Sequence, residues 1–417
     1  MRGRRVFLAL GLLLVCAPIA AAQQPRPVAP SRAIRAAFDT LRLTNEWTLE
    51  QQRTICQIPA PPFKEAQRAE EYRRRFEALG LAIRVDSIGN VIATRPGRRR
   101  KPVVVVSAHL DTVFPEGTDV TVHREGSVMR GPGIADDCRG LALLLAVARA
   151  MDAARVRTGG TILFVGTVGE EGLGNLRGVR HLLERELPGE VDYFLSVDLS
   201  DFQLSPRAVG SHRYKVTFSG PGGHSFGDFG IPNPAHAAGR AIATIADIPV
   251  PAIPRTTFSV GVMEAGTSVN AIAARASFMV DLRSESPGAL DSLDRSFRGA
   301  VRQALAQEAA RWPTSSVALM VAIDTLGIRP AGATPDSSGL LRAARDAARA
   351  LGIPLGDPLA NSTDANLPIS LGIPAMAIGH GGKGTGEHSL SESYDDGERG
   401  WLGPQWVLLM VTLLAGS

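Results

Sequence analysis

A histidine and an aspartate, both able to serve a metal, stand two positions apart at His109 and Asp111, inside Ser107 to Val113 (Ser-Ala-His-Leu-Asp-Thr-Val). The stretch closes an apolar run, Val103 to Val106, that reads as a buried strand. Side chains two apart on an extended chain lean the same way, so imidazole and carboxylate leave the strand together, where open α/β sheets keep their active sites. The spacing suits a metal-ligand histidine backed by a carboxylate that fixes its tautomer. Taken alone, the pair reads more readily as a hydrogen-bonded cap on a strand end.

Further acidic and histidine sites follow, most of them at similar strand exits. Glu170 and Glu171 come after the apolar segment ending at Val165, in Thr-Val-Gly-Glu-Glu-Gly-Leu-Gly. Neighbouring side chains in a tight glycine-flanked turn diverge, so one carboxylate can hold a metal while the other faces a water. Between these sites, Gly131-Pro-Gly-Ile-Ala-Asp-Asp-Cys-Arg-Gly140 leads into an apolar helix over Leu141 to Met151, and either Asp136 or Asp137 can serve as its N-cap. Asp198 ends another apolar run, Tyr193 to Val197, and His388 lies in the loop from Gly384 to Glu392.

With five such sites in this order, the chain resembles the M20 family of metallopeptidases, most closely its tripeptidase-like and glutamate carboxypeptidase-like members. The resemblance implies that Asp136 bridges two divalent ions, with Glu171 and His388 on one and His109 and Asp198 on the other. It makes Glu170 the general base and gives Asp111 the task of steadying His109. Three carboxylates then offset three of the four positive charges of two divalent ions, and a hydroxide offsets the fourth. Two imidazoles and three carboxylates suit Zn²⁺, and an oxygen-rich site also accepts Mn²⁺ or Co²⁺. One departure stands out: many members carry Lys after the paired aspartates, where this chain has Cys138.

The likeness extends to Gly220-Pro-Gly-Gly-His-Ser-Phe-Gly-Asp-Phe-Gly230, where it implies that His224 polarises the scissile carbonyl, often across a dimer interface. It also implies that Asn270 and Arg283 grip polar groups or a carboxylate of the substrate. Thr363 and Asp364 read either as pocket residues or as a helix cap. His123, His181, His212 and His236 have no partner motif and read as ordinary surface or core histidines, and His380 has no assigned role. The implied activity is amide hydrolysis on small peptides. An N-acyl-amino-acid amidohydrolase on the same site is the nearest alternative, and a non-catalytic binding or scaffold protein on the same fold is a second.

A chain of 417 residues with 44% hydrophobic content allows two domains and a sizeable core. Residues 1–22 read as a signal peptide, with a basic start, an apolar stretch from Val6 to Ala20 and an Ala20-Ala-Ala22 cleavage site. Gly3-Arg-Arg-Val-Phe-Leu8 resembles a twin-arginine export motif, with Sec export as the alternative, so the expected location is periplasmic or secreted. Arg2, Arg4 and Arg5 supply three of the net +4, which leaves the mature chain near +1. The cluster Arg98-Arg-Arg-Lys101 reads as a solvated turn and not a nucleic-acid patch, since no aromatic platform accompanies it. Cys56 and Cys138 alone outlast the leader, and two cysteines suggest no disulfide framework.

Helical patterns cover Ile34 to Gln57 and Glu65 to Leu79, after which strand-like runs alternate with helices up to Asp198. Such alternation implies an α/β domain with a mostly parallel sheet flanked by helices, of the zinc-peptidase type. From 207 to 314 the order becomes strand, helix, strand, strand, helix, which reads as an inserted smaller α+β domain, and the resemblance makes it a lid and homodimerisation domain. The catalytic domain is then expected in two segments, 23–206 and 315–417. The apolar run Trp406 to Leu414 is far shorter than the roughly 20 residues that cross a bilayer, and reads as a core helix.

Overall fold

The computed structural model describes residues 29–416, so the signal-peptide reading of residues 1–22 lies outside the described residues. The catalytic unit is built on a seven-stranded sheet whose central four strands run in the order Thr161–Thr167, Val103–His109, Tyr193–Leu199, Ala375–Gly379. These four are parallel, and every residue of Val103–His109 is buried, as the unbroken apolar run requires of a strand covered on both faces. The sheet as a whole is mixed. Ala82–Val85 and Val91–Arg95 on one flank and Leu204–Ser205 on the other pair antiparallel, because short turns join or return them without a crossover helix.

The helical pattern from Ile34 to Gln57 divides at Thr44 into two helices, Arg32–Leu43 and Asn45–Cys56. Helix Cys138–Ala153 is buried along almost its whole length, and Leu402–Ala415 packs beside it as a core helix. Among the described residues no helix is long and apolar enough to cross a membrane. In the basic turn, Arg100 and Lys101 pair with Glu190 and Asp192 at 2.7 and 3.1 Å, as a solvated turn should.

The inserted domain is a four-stranded antiparallel sheet in the order Thr256–Ala265, Arg275–Ser284, Gly210–Ser219, Met320–Arg329, packed against helices Pro234–Ala246 and Pro287–Ala310. Its extent corrects the sequence boundary at 314. Met320–Arg329 pairs with Gly210–Ser219 from Ser219↔Met320 to Ser211↔Arg329, so the insert closes at Arg329. The apolar positions of that strand alternate around a bulge, which blurs their period. A small sheet of Gly332–Ala333, Arg207–Ala208 and Ala360–Asn361 joins the two domains where the chain leaves and re-enters the catalytic unit.

Candidate active site

Strand exits deliver the first groups. His109 ends its strand and is buried, with Nε2 2.8 Å from Asp136 Oδ1 and 3.6 Å from Asp198 Oδ1. Asp137 takes the capping role, accepting from the Gly140 N–H at 3.0 Å and the His109 N–H at 2.9 Å, which frees Asp136 to face the histidines. The second oxygen of Asp136 lies 3.1 Å from His388 Nε2, and Glu171 Oε1 is 3.1 Å from the same nitrogen. Asp136 thus stands between two imidazoles, one oxygen toward each. His388, at φ 64° in the turn that follows Lys383–Thr385, comes from the returning segment of the chain.

The donors form three overlapping groups, each with its ligand atoms within 4.8 Å of one another: His109, Asp136 and Asp198; Asp136, Glu171 and His388; and His109, Glu170 and Glu171. Shared membership of Asp136 in the first two is what a carboxylate bridging two ions needs. Burial pushes the Asp198 carboxyl well above its ordinary range. Burial raises the Glu170 carboxyl too, with Arg329 opposing and Glu171 adding to the shift. The Asp136 and Glu171 carboxylates push the His388 imidazole up to about 11. Such a crowd of carboxylates calls for compensating cations, and the mixed nitrogen and oxygen donors fit a pair of divalent ions.

The structure corrects one assignment. Asp111 does not steady His109 through its carboxylate, which is 3.8 Å from Nδ1. The backbone carbonyl of Asp111 meets Nδ1 at 2.9 Å instead. Its carboxylate accepts the N–H groups of Glu170 and Glu171, at 3.1 and 2.9 Å. Asp111 therefore sets the tautomer of His109 and the backbone of Glu170 and Glu171.

Two positioning groups were missed by the sequence reading. Glu392 accepts from the N–H groups of Gly133, Ala135 and Asp136 at 2.9 to 3.0 Å, tying down the loop that presents Asp136. Glu392 closes the Gly384 to Glu392 loop, and nothing in the sequence indicates a partner 256 positions away. Arg329 donates to Glu170 Oε1 at 2.9 Å and to the Glu170 carbonyl, from a strand that sequence reading passed over.

A cavity of about 580 Å³ opens over these groups, lined by Asp136, Glu170, Glu171, Asp198 and His388 on one side and by Arg213, Arg283 and Arg329 on the other. Thr363 lines it, whereas Asp364 is buried behind Thr167, which donates to it at 2.6 Å. Arg283 reaches the cavity with its Nε 2.7 Å from Asp281. His224 and Asn270 do not line it. They sit together on the exposed ribbon where Gly223–His224 pairs with Ala271–Ile272. His380 is buried, directing Nδ1 to the Gly381 carbonyl at 2.7 Å and its ring edge to Tyr394, and is a core histidine. His181, His212 and His236 pair with Glu186, Asp294 and Glu308, away from the site.

The sequence profile of peptidase family M20/M25/M40 matches residues 105–400, a span holding all five metal-site candidates. The chain belongs to that family. A tripeptidase from Staphylococcus aureus subsp. aureus Mu50 superposes on this M20 chain with a TM-score of 0.73 at 21% identity, covering 89% of this chain and 98% of the other. The Bacillus subtilis YxeP protein, described as a dinuclear metal-binding peptidase of the M20 family, gives a TM-score of 0.66 at 20% identity over 90% and 99% of the two chains. A Pyrococcus abyssi protein named as a LysW-lysine/LysW-ornithine hydrolase is 30% identical over 128 residues, 31% of this chain. The M20 chain here spans about a third (34%) of the length of that curated relative.

Proposed function

We propose that this M20 protein is an exported metallopeptidase that hydrolyses amide bonds of small peptides, with Asp136 bridging two divalent ions. The observation that carries this reading is the two-sided placement of Asp136 between His109 and His388. His109, Asp136, Glu171, Asp198 and His388 would hold the two divalent ions, which would supply Lewis-acid activation of water and of the scissile carbonyl at neutral pH. Glu170 takes the proton from the attacking water and returns it to the leaving amine. Its carboxylate lies with His109 and Glu171 while Arg329 holds one oxygen, which leaves the other for the proton. Zn²⁺ is the expected ion, with Mn²⁺ and Co²⁺ compatible with the same donors.

Substrate recognition follows from charge. Arg213 and Arg283 stand around Asp281 on the lid side of the cavity and offer two guanidinium groups against one carboxylate, a surplus suited to the carboxylate of a peptide or of an N-acyl amino acid. An amidohydrolase acting on N-acyl amino acids is therefore the second reading.

The lid is proposed to form a homodimer. Its strand Thr256–Ala265 is an exposed edge, and Phe226, Phe229 and Val269 are exposed near His224. The His224 Nδ1 accepts from the N–H groups of Phe226 and Gly227, both at 3.2 Å, so a neutral ring carries its proton on Nε2. A donor in that state can stabilise the oxyanion of a neighbouring subunit's site.

Elemental analysis of purified protein tests the metals, with up to two divalent ions per chain expected. Chelation should abolish hydrolysis until Zn²⁺, Mn²⁺ or Co²⁺ is restored, and full activity without metal would end the mechanism. A screen of di- and tripeptides against N-acyl amino acids decides the substrate. Intact-mass measurement on native protein, expected to start near Gln23, tests export.

A further inference from the structure

Arg329 belongs to the lid, yet its side chain is spent on the catalytic domain. It is the last residue of Met320–Arg329, paired with Ser211 in the lid sheet, and it stands three positions before the joining strand Gly332–Ala333. Its guanidinium and the Glu170 carboxylate are only 5% and 6% exposed. One nitrogen donates to Glu170 Oε1 at 2.9 Å and lies 3.3 Å from the Ser362 hydroxyl, and the other donates to the Glu170 carbonyl. Among the described residues Nε is buried without a partner, and the group is oriented by Glu170 and Ser362.

The rest of the loop after Glu170 is docked on the same lid edge. Asn175 Oδ1 accepts from the Ile328 N–H at 2.9 Å, Arg180 donates to the Ile328 carbonyl at 3.4 Å, and Arg213 donates to the Gly172 carbonyl. Glu170 is therefore held from two bodies: its N–H by Asp111 of the catalytic domain, and its carbonyl and carboxylate by Arg329 of the lid. Arg329 stands three positions before the inter-domain connection, so a change in lid angle would move its backbone little but turn its side chain. A guanidinium binding two oxygens at once is directional, so that turn changes where the carboxylate points.

Resting on the peptidase reading above, we propose that Arg329 is a positioning residue through which the angle of the lid sets the orientation of Glu170, coupling lid position to the readiness of the base. A change in lid angle would then act on proton transfer at Glu170.

Arg329→Gln and Arg329→Lys test the coupling. In Arg329→Gln, kcat should fall on the order of 10²-fold with KM changed less than about threefold, since a misplacement near 1 Å costs that much. Metal content should not change. Arg329→Lys, with charge but no planar fork, should recover only part of the loss. Hydrogen exchange in the metal-loaded protein should quicken over 169–180 in Arg329→Gln, with the rest of the catalytic domain unchanged. This readout does not depend on substrate: if the wild type cleaved no amide, the peptidase reading would fail while exchange would still judge the coupling. Unchanged exchange over 169–180 overturns the proposal, as does kcat within twofold of wild type, full recovery by Lys, or a loss matched by lost metal or lost folded protein.

Discussion

The Nδ1 of His109 lies 2.9 Å from the backbone carbonyl of Asp111, so the alignment of this histidine comes from the Asp111 main chain and not from its carboxylate. The carboxylate is thereby free to accept the N–H groups of Glu170 and Glu171. Asp111→Asn removes one acceptor oxygen and leaves one of those buried N–H groups unpaired, at a cost of about 1–3 kcal/mol. Metal affinity should fall about 10–100-fold, the range for groups that orient ligands, as read by titration against a chromophoric chelator. Wild-type affinity in Asp111→Asn would show that the Glu170–Glu171 backbone needs no such anchor.

Glu170 and Glu171 are adjacent but face different partners, Arg329 and His388. Glu170→Gln should retain metal and lose about 10²–10⁴-fold in turnover, the usual worth of a general base. Glu171→Ala should lose metal as well. The opposite pattern in metal analysis and steady-state kinetics would exchange the two roles.

His224 is exposed and outside the cavity of its own chain. His224→Ala should lower kcat about 10²–10³-fold, as expected for loss of an oxyanion donor, without changing metal content. Mixing His224→Ala chains with Glu170→Gln chains should restore roughly a quarter of wild-type activity, because half the dimers are mixed and each regains one complete site. No recovery in mixtures shown to contain heterodimers would reject action across the interface, and unimpaired His224→Ala would remove the histidine from the reaction.

Burial, reinforced by Glu170, pushes the Asp364 carboxyl up to about 7. The folded state thus binds this proton more tightly than the unfolded chain, whose aspartates titrate near 3.9. The contribution is fully present below about pH 4 and is lost as pH rises through about 7, so stability should decline across that interval and flatten above it. Asp364→Asn keeps an acceptor for Thr167 but cannot ionise, and should abolish this part of the decline. Denaturant unfolding at pH 5 and pH 8 measures it, and an unchanged slope in Asp364→Asn would place the effect elsewhere.

The candidate metal-binding side chains were legible in the sequence because parallel strands leave a local signature. Val103 to Val106 and Tyr193 to Val197 are apolar runs buried on both faces, and their polar ends, His109 and Asp198, stand where the sheet stops. Period-two geometry then puts His109 and Asp111 on one side without any knowledge of the fold. Resemblance to the family supplied the roles, and residues 105–400 match that family.

Long-range contacts were not legible. Whether Asp136 or Asp137 capped the helix depended on which carboxylate met the Gly140 N–H, a choice that two neighbouring aspartates leave open. Arg329, Glu392 and the carboxylate of Asp111 act on backbone groups distant in the chain, and a backbone N–H or carbonyl is the same at every position. The sequence by itself determined which residues can bind a metal and at which strand ends they stand, since both follow from side-chain chemistry and local periodicity. Only the tertiary structure decided that the lid ends at Arg329 and reaches Glu170, because sheet pairing and domain docking depend on segments far apart in sequence meeting in space.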